Sequence, residues 1–183
     1  MKTLSIDHSW SLFLDRDGVI NKKIEGDYVR NIHQFEWLPK IIGSIVFLSS
    51  LFRRTFIVSN QQGIGKGLMS DEDVSTIHEY ILAEIIKNGG RVDKIYFAPQ
   101  LKSENSVFRK PNIGMALQAK QDYPEISLTK SVMVGDSMSD MEFGKRAGMK
   151  TILLNPLKKF SPESNVDYCF MELSEFADFL RLQ

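Results

Sequence analysis

The sequence predicts a single α/β domain over residues 1–183, with a central parallel sheet and helices on both of its faces. Two observations carry this prediction. Short apolar runs alternate with amphipathic helical segments along the chain, a pattern typical of right-handed βαβ units. Polar clusters follow the ends of several runs, and open α/β sheets bind ligands there. The 183 residues, 43% of them hydrophobic, suit one domain with a full core.

Five short runs rich in β-branched, aromatic and other apolar residues are the predicted strands. In order they are Ser11–Leu14, Arg54–Val58, Lys94–Ala98, Ser131–Val134 and Thr151–Leu154. Their length and their lack of a helical period distinguish them from the segments between them.

Helical periodicity predicts the connecting elements. They are Pro39–Leu51, a segment from the N-cap Ser70 to the stop at Asn88-Gly89-Gly90, Ile113–Gln121, Met138–Ala147 and Leu173–Leu182. The second is the clearest, because Asp71, Glu72 and Asp73 fill its first turn. We expect Val74, Ile77, Ile81 and Ile85 to form its inner stripe and His78 to be a residue of the helix face beside them.

Composition excludes several classes of function. Basic and acidic residues balance at 23 each and the basic pairs are scattered, whereas nucleic-acid binders usually carry a basic excess or stripe. The single cysteine, Cys169, fits a reducing compartment. The first residues do not resemble a signal peptide, and no apolar run is long enough to span a bilayer. We therefore expect a cytoplasmic protein with no nucleic-acid or membrane partner.

The most informative segment is Asp15-Arg16-Asp17-Gly18, directly after the first predicted strand. Strand alternation would place Asp15 and Asp17 on one side and Arg16 on the other. Gly18 permits a sharp turn. Paired acids at a strand's carboxyl end can hold a divalent cation and a phosphate, although on its own the motif also fits a solvated loop.

Three further polar clusters are expected at the same edge. Ser59-Asn60 begins a polar run after the second strand, Gly135-Asp136-Ser137 follows the fourth, and Arg109-Lys110-Pro111 precedes a helix. Each has a plainer interpretation as a turn, a helix cap or a surface lysine. Because all four clusters are expected at one edge of the sheet, a functional site is favoured over a set of unrelated turns and helix caps.

Taken together and in this order, these motifs resemble those of the haloacid dehalogenase-like (HAD) phosphohydrolases. The segments 15–21, 59–67 and 109–111 are similar to the D-glycero-D-manno-heptose 1,7-bisphosphate phosphatase branch, which also includes histidinol-phosphate phosphatase domains. The resemblance covers about Ser11 to Asn155 and implies a Rossmann-like HAD fold. Because no long insertion separates the motifs, we expect no large cap domain.

The resemblance implies a role for each motif residue. Asp15 is the expected nucleophile and Asp17 the expected acid and base. Mg²⁺ is the expected cofactor, held by Asp15, Asp136 and the backbone carbonyl of Asp17. Ser59 and Lys110 are expected to hold the transferring phosphoryl group. Substrate binding is assigned to Asn60, Arg109 and Lys110, while Asp140 would orient Lys110 or a metal-bound water.

The chain departs from the branch in one loop. Members often carry a structural zinc through a Cys-x-His and a Cys-x-Cys pair. The matching positions here read Ala98-Pro99-Gln100 and Ser106-Val107-Phe108. These residues offer no thiolate or imidazole, so we expect no structural zinc and a loop ordered by packing of Leu101 and Phe108.

The expected substrate is a small phosphorylated sugar, because Arg109 could pair with a second phosphate. Removal of the C7 phosphate from heptose 1,7-bisphosphate is the preferred function. Histidinol-phosphate phosphatase is the alternative, since Glu25, Asp27 and Glu104 could face a substrate amine. A nucleic-acid 3′-phosphatase fits the balanced charge poorly. A non-catalytic phosphate-binding protein would be expected to have lost Asp15 or Asp17.

Overall fold

The computed structural model describes residues 4–155, 157 and 165–183. The described residues form a six-stranded sheet in the order β3-β2-β1-β4-β5-β6, and every pairing in it is parallel. The strands are β1 (Ser11–Leu14), β2 (Arg54–Asn60), β3 (Lys94–Ala98), β4 (Ser131–Gly135), β5 (Lys150–Leu154) and β6 (Tyr168–Phe170). The predicted parallel sheet is confirmed. The edge strand β6 was not predicted, because its three half-buried residues carry no periodic pattern.

Helices follow most of the strands. They are α1 (Ile41–Leu51), α2 (Gln62–Gly65), α3 (Asp71–Lys87), α4 (Gly114–Asp122), α5 (Met138–Arg146) and α6 (Leu173–Arg181). The five predicted helices are confirmed, with ends that differ by at most two residues. Pro39 does not lie in the first turn of α1, because Lys40 adopts a left-handed backbone (φ 58°) and the helix begins after it. The four-residue α2 was not predicted, since its glycines favour a loop.

The two faces of the sheet each support a separate part of the core. On one face Leu12 and Leu14 of β1 pack with residues of α1, α3 and α6, such as Leu48, Ile81 and Phe176. On the other face Phe13 packs with residues of α4 and α5, among them Met115, Phe143 and the strand residues Phe56 and Met133. Successive residues of β1 therefore serve opposite faces, as the α/β prediction requires.

Helix α3 begins at the predicted cap. The backbone N–H of Asp73 donates to Ser70 Oγ at 3.1 Å, and the backbone N–H of Ser70 donates to Asp73 Oδ2 at 2.8 Å. This reciprocal pair is a capping box. The predicted stripe of Val74, Ile77, Ile81 and Ile85 is fully buried. His78 also lies on the buried side of the helix, only 7% exposed.

Strand register brings the chain's polar motifs to one edge of the sheet. Leu14 lies beside Ile57 of β2 on one side and Val134 of β4 on the other. The residues that follow these positions therefore emerge together at the carboxyl edge. The long connections there, residues 15–40 and 99–113, contain 3-10 turns and isolated bridges rather than a cap domain. None of the helices in the described residues is both long and apolar enough to cross a membrane.

Candidate active site

A cavity of about 260 Å³ opens at the carboxyl edge of the sheet. Its lining includes every residue to which the sequence analysis assigned a role, namely Asp15, Asp17, Ser59, Asn60, Arg109, Lys110, Asp136 and Asp140. The structure thus brings together all four motifs. The roles themselves remain predictions at this point.

Two glycines allow the motifs to pack this closely. A Cβ on Gly18, where φ is +94°, would lie 2.3 Å from Asp136 Oδ2. A Cβ on Gly135 would lie 2.2 Å from Cβ of Asp140. Any side chain at either position would displace a carboxylate of the pocket, so both glycines are required by close approach.

Lys110 is buried at the floor of the pocket. Its Nζ donates to Asp15 Oδ1 at 2.8 Å and to the Val58 carbonyl at 2.7 Å, and it lies 2.6 Å from Asp140 Oδ1. Burial alone would lower the pKa of Lys110, but the Asp140 and Asp15 carboxylates outweigh burial and raise that pKa above its ordinary value. The site therefore contains a permanent ammonium.

Asn60 holds the backbone of Lys110. The amide Nδ2 of Asn60 donates to the Lys110 carbonyl at 3.1 Å, and Asn60 Oδ1 accepts from the Lys110 backbone N–H at 3.0 Å. Both ends of the amide are thereby engaged with the protein. Asn60 is thus placed to position Lys110, whereas its expected contact with the substrate stays a prediction.

Three carboxylates meet beside Lys110. Asp15, Asp136 and Asp140 each offer an oxygen within 4.8 Å of the others, a group that could hold a metal ion. Burial raises the pKa of Asp15 to about 7; Lys110 opposes this rise, and the negative charges of Asp140 and Asp136 add to it. Burial also raises the pKa of Asp136, against a hydrogen bond from Lys23 Nζ at 3.0 Å. These hard oxygen donors fit Mg²⁺.

Asp140 already has protein partners for both oxygens. Its Oδ1 contacts Lys110, and its Oδ2 accepts from the backbone N–H of Ser137 at 3.1 Å. This second contact caps helix α5. Asp140 is thus placed to orient Lys110, one of its two expected roles.

Asp17 lies outside the carboxylate cluster and accepts four hydrogen bonds. Oδ1 accepts from Arg16 Nη2 (3.1 Å) and Asn21 Nδ2 (2.9 Å), and Oδ2 accepts from Arg16 Nε (3.2 Å) and Gln61 Nε2 (2.9 Å). Burial would raise the pKa of Asp17, but the Arg16 charge and these hydrogen bonds outweigh it and lower the pKa.

The expectation that Arg16 points away from the acids is wrong. Strand alternation ends at Leu14, and the Arg16 carbonyl accepts from the backbone N–H groups of Ile20 and Asn21 in a tight turn. The side chain consequently returns to Asp17, completely buried. Sequence reasoning also missed Gln61, which follows Ser59-Asn60 directly. The third partner of Arg16 is His78, whose Nε2 lies 3.3 Å from Nη1. No sequence motif indicated this contact.

Hydrogen bonds hold the loop in which other members of the branch often carry their zinc ligands. The Leu101 backbone N–H donates to Glu104 Oε1 (2.7 Å), the Lys102 backbone N–H to Gln62 Oε1 (2.7 Å) and Asn112 Nδ2 to the Ser106 carbonyl (3.0 Å). Packing of Leu101 and Phe108 was expected; Leu101 is partly buried, but the Phe108 ring is 38% exposed. Polar contacts therefore order the segment that leads to Arg109 and Lys110.

Comparisons with known proteins agree with this geometry. Residues 107–156 match a family model described as HAD-hydrolase-like. A D-glycero-alpha-D-manno-heptose-1,7-bisphosphate 7-phosphatase of Campylobacter jejuni is 37% identical over 93% of this chain and 95% of its own length. One from Mycobacterium tuberculosis is 42% identical over 74% of this chain and 71% of its own.

A solved structure gives the same result. The D,D-heptose 1,7-bisphosphate phosphatase from B. bronchiseptica, complexed with magnesium and phosphate, superposes with a TM-score of 0.83 at 25% identity, covering 94% of this chain and 98% of the other. The chain is therefore a phosphatase of the HAD-like hydrolases and belongs to their heptose-1,7-bisphosphate phosphatase family.

Proposed function

We propose that this phosphatase is a Mg²⁺-dependent phosphomonoester hydrolase that removes the C7 phosphate of D-glycero-D-manno-heptose 1,7-bisphosphate through an aspartyl-phosphate on Asp15. The observation that carries the proposal is the convergence of Asp15, Asp136 and Lys110 in one pocket at the carboxyl edge. A buried ammonium beside clustered carboxylates suits a site that receives both a cation and a phosphate.

Asp15, Asp136 and the backbone carbonyl of Asp17 would hold the Mg²⁺. When bound, the ion would neutralise charge as an anionic nucleophile approaches an anionic phosphate. The donor set fits, because carboxylate and carbonyl oxygens are the ligands this cation prefers. A solved relative described as complexed with magnesium and phosphate supports the same cofactor.

The chain's own residues would then carry two steps. In the first, Asp15 forms a bond to phosphorus while the bond to the ester oxygen breaks and Asp17 donates a proton to that oxygen. In the second, Asp17 takes a proton from water, which attacks phosphorus and releases Asp15 and inorganic phosphate. Lys110 and the Ser59 hydroxyl would stabilise the phosphoryl oxygens in both steps.

Two features of the pocket favour the bisphosphate over histidinol phosphate. The half-buried Arg109 lines the cavity and could pair with a second phosphate. Asp27, which could have faced a substrate amine, is already bound by Arg30 Nη2 at 2.7 and 2.8 Å. Glu104 likewise accepts from the Leu101 backbone. An amine at Asp27 or Glu104 would thus compete with existing partners, and Glu25 lines a neighbouring cavity instead of this one.

The test is a comparison of kcat/KM on both anomers of heptose 1,7-bisphosphate and on histidinol phosphate, with and without Mg²⁺. Relatives named for either anomer make both necessary. We expect Mg²⁺-dependent turnover with a clear preference for the bisphosphate. Comparable efficiency on histidinol phosphate would contradict the substrate assignment, and absence of turnover on every phosphomonoester would contradict the activity.

The remaining expectations can be tested on the same preparation. We propose that the protein is a cytoplasmic monomer that binds neither nucleic acid nor membrane and carries no structural zinc. Elemental analysis should find no stoichiometric zinc, and light scattering should give the mass of one chain. Zinc at one equivalent would contradict the interpretation of the loop that contains Gln100 and Ser106.

A further inference from the structure

A buried path of side chains links helix α3 to Asp17. His78 Nε2 lies 3.3 Å from Arg16 Nη1, and the other nitrogens of that guanidinium bind both oxygens of Asp17. Arg16 is completely buried and His78 nearly so. His78 belongs to none of the four motifs and does not line the cavity.

The chemistry of the pair fixes the direction of the hydrogen bond. A guanidinium has five N–H donors and no acceptor, so Nε2 of His78 must accept and the imidazole must be neutral. Burial together with the Arg16 charge lowers the pKa of His78 to about 3. The imidazole ring also packs edge-on against Phe97, with centroids 5.4 Å apart, and this contact limits its rotation.

His78 supplies the acceptor that faces Nη1 of Arg16. Nε and Nη2 serve Asp17, Nη2 also donates to Gln61 Oε1 at 3.1 Å, and Nη1 faces His78. Loss of the His78 acceptor would leave a buried N–H of Arg16 unpaired, which is costly enough to favour rotation of the guanidinium. Because Arg16 supplies two of the four hydrogen bonds to Asp17, such a rotation would also move the carboxylate.

We propose that His78 is a positioning residue that acts through Arg16 to hold Asp17 in line with the leaving oxygen of the substrate. The inference rests on the proposed acid role of Asp17 but concerns a residue that the proposed function does not use. It implies that the geometry of proton delivery is set in part from the buried face of α3.

Leaving-group dependence separates this role from a purely structural one. An alkyl phosphate needs a proton on its departing oxygen, whereas p-nitrophenolate departs as a stable anion. A misplaced Asp17 should therefore lower kcat/KM for heptose bisphosphate much more than kcat/KM for p-nitrophenyl phosphate, because kcat/KM excludes the later hydrolysis of the aspartyl-phosphate that both substrates share. A general loss of folded enzyme would slow both equally.

The experiment measures kcat and KM on these two substrates for the wild type, His78→Leu, His78→Gln and Asp17→Asn. Ile81→Val serves as the matched control, since it alters the same buried stripe of α3 without touching Arg16. We expect His78→Leu to lose roughly tenfold or more in kcat/KM on the alkyl phosphate and less than about threefold on the aryl phosphate. The glutamine variant should recover most of the difference, because its carbonyl can accept from Nη1. The control should leave the ratio of the two kcat/KM values unchanged.

Several results would overturn the proposal. These are an equal loss on both substrates in His78→Leu, no loss on either, or a glutamine variant that behaves like leucine. If His78→Leu does not fold, His78→Met supplies the same comparison with a more adaptable apolar side chain. An inactive wild type would instead contradict the proposed function, and a ratio unchanged in Asp17→Asn would contradict the acid role of Asp17. Failure of the positioning role therefore remains distinguishable from both.

Discussion

Asp15 and Asp17 are two residues apart in the chain, yet their surroundings shift their pKa values in opposite directions. Asp15 lies among other acids, and burial raises its pKa to about 7 although Lys110 opposes the rise. Asp17 is also buried, but Arg16, Asn21 and Gln61 lower its pKa. These directions, found without a bound cation, are opposite to those that a nucleophile and a general acid need, so the proposed roles require the bound cation to lower the pKa of Asp15 and the bound substrate to raise that of Asp17.

The difference shows which half of the pocket needs a ligand. The Asp17 carboxylate accepts four hydrogen bonds from protein donors and still lines the cavity. Around Asp15, three acids share two ammonium groups, Lys110 and Lys23. The Asp15 side is therefore short of positive charge, whereas the Asp17 carboxylate is paired with Arg16, and a bound cation should stabilise mainly the three acids around Asp15.

The largest expected effect comes from Asp15→Asn. An amide cannot form the phosphoryl bond, so we expect kcat to fall by at least about 10⁴-fold. Stability should be maintained, because the change removes one negative charge from the acidic cluster. Phosphate release and thermal unfolding provide the two readouts. Substantial remaining activity would show that the phosphoryl group does not pass through Asp15.

The next effect is expected for Lys110→Met, which leaves Asp15 and Asp140 without their shared partner. We expect a loss of about 10²–10³-fold in kcat. The free energy of unfolding should fall by about 3–5 kcal/mol at neutral pH, as for other broken buried ion pairs. Kinetics and urea unfolding measure the two losses.

Lys145→Met is the matched control for Lys110→Met, because it breaks the ion pair with Asp167 at a site outside the pocket. The control should retain full activity. Equal losses in the two variants would mean that Lys110 contributes only through stability.

The loss of folding stability at acid pH should depend in part on His78. The folded protein lowers the pKa of this imidazole from its ordinary value of 6.5 to about 3, so between these values the unfolded chain binds a proton that the folded protein does not. As pH falls from about 6 to about 4, the free energy of unfolding should therefore decrease more steeply in the wild type than in His78→Gln. The difference in slope should be up to about 1.4 kcal/mol per pH unit. Urea unfolding at several pH values measures this slope, and parallel curves for the two proteins would contradict it.

The smallest expected effect concerns Lys23, whose ammonium binds Asp136 at the rim of the pocket. Because this lysine is largely solvated, its removal should tighten Mg²⁺ binding by no more than about fivefold. Titration calorimetry on Lys23→Met measures the change. Lys22→Met is the matched control, since Lys22 pairs with Glu36 instead. Weaker binding in Lys23→Met would show that the lysine supports the cation site.

Sequence reasoning was most accurate where local chemistry is decisive. Apolar runs identified five of the strands of the described sheet, and Ser70 with Asp73 identified the start of α3. The polar clusters after the strands identified the pocket, because parallel strands share their carboxyl edge. The short edge strand β6 was missed for lack of any periodic signal.

The network behind Asp17 could not be predicted for a different reason. Arg16, Gln61 and His78 come from separate elements, and their contacts depend on a turn that reverses the strand's alternation. Likewise, the hydrogen bonds between Asn60 and the Lys110 backbone depend on the approach of the end of β2 to a loop far away in sequence. Tertiary geometry, which spacing does not encode, sets both arrangements.

Location of the transferred phosphoryl group tests the account most directly. Asp17→Asn should slow release of the intermediate, because no base then activates the attacking water. Acid quenching of this variant during turnover of p-nitrophenyl phosphate, whose leaving group needs no proton, followed by peptide mapping by mass spectrometry, should find one phosphoryl group on Asp15 in the presence of Mg²⁺ and none in its absence. Phosphate release by the wild type with no phosphoryl group on Asp15 in either protein would contradict the account.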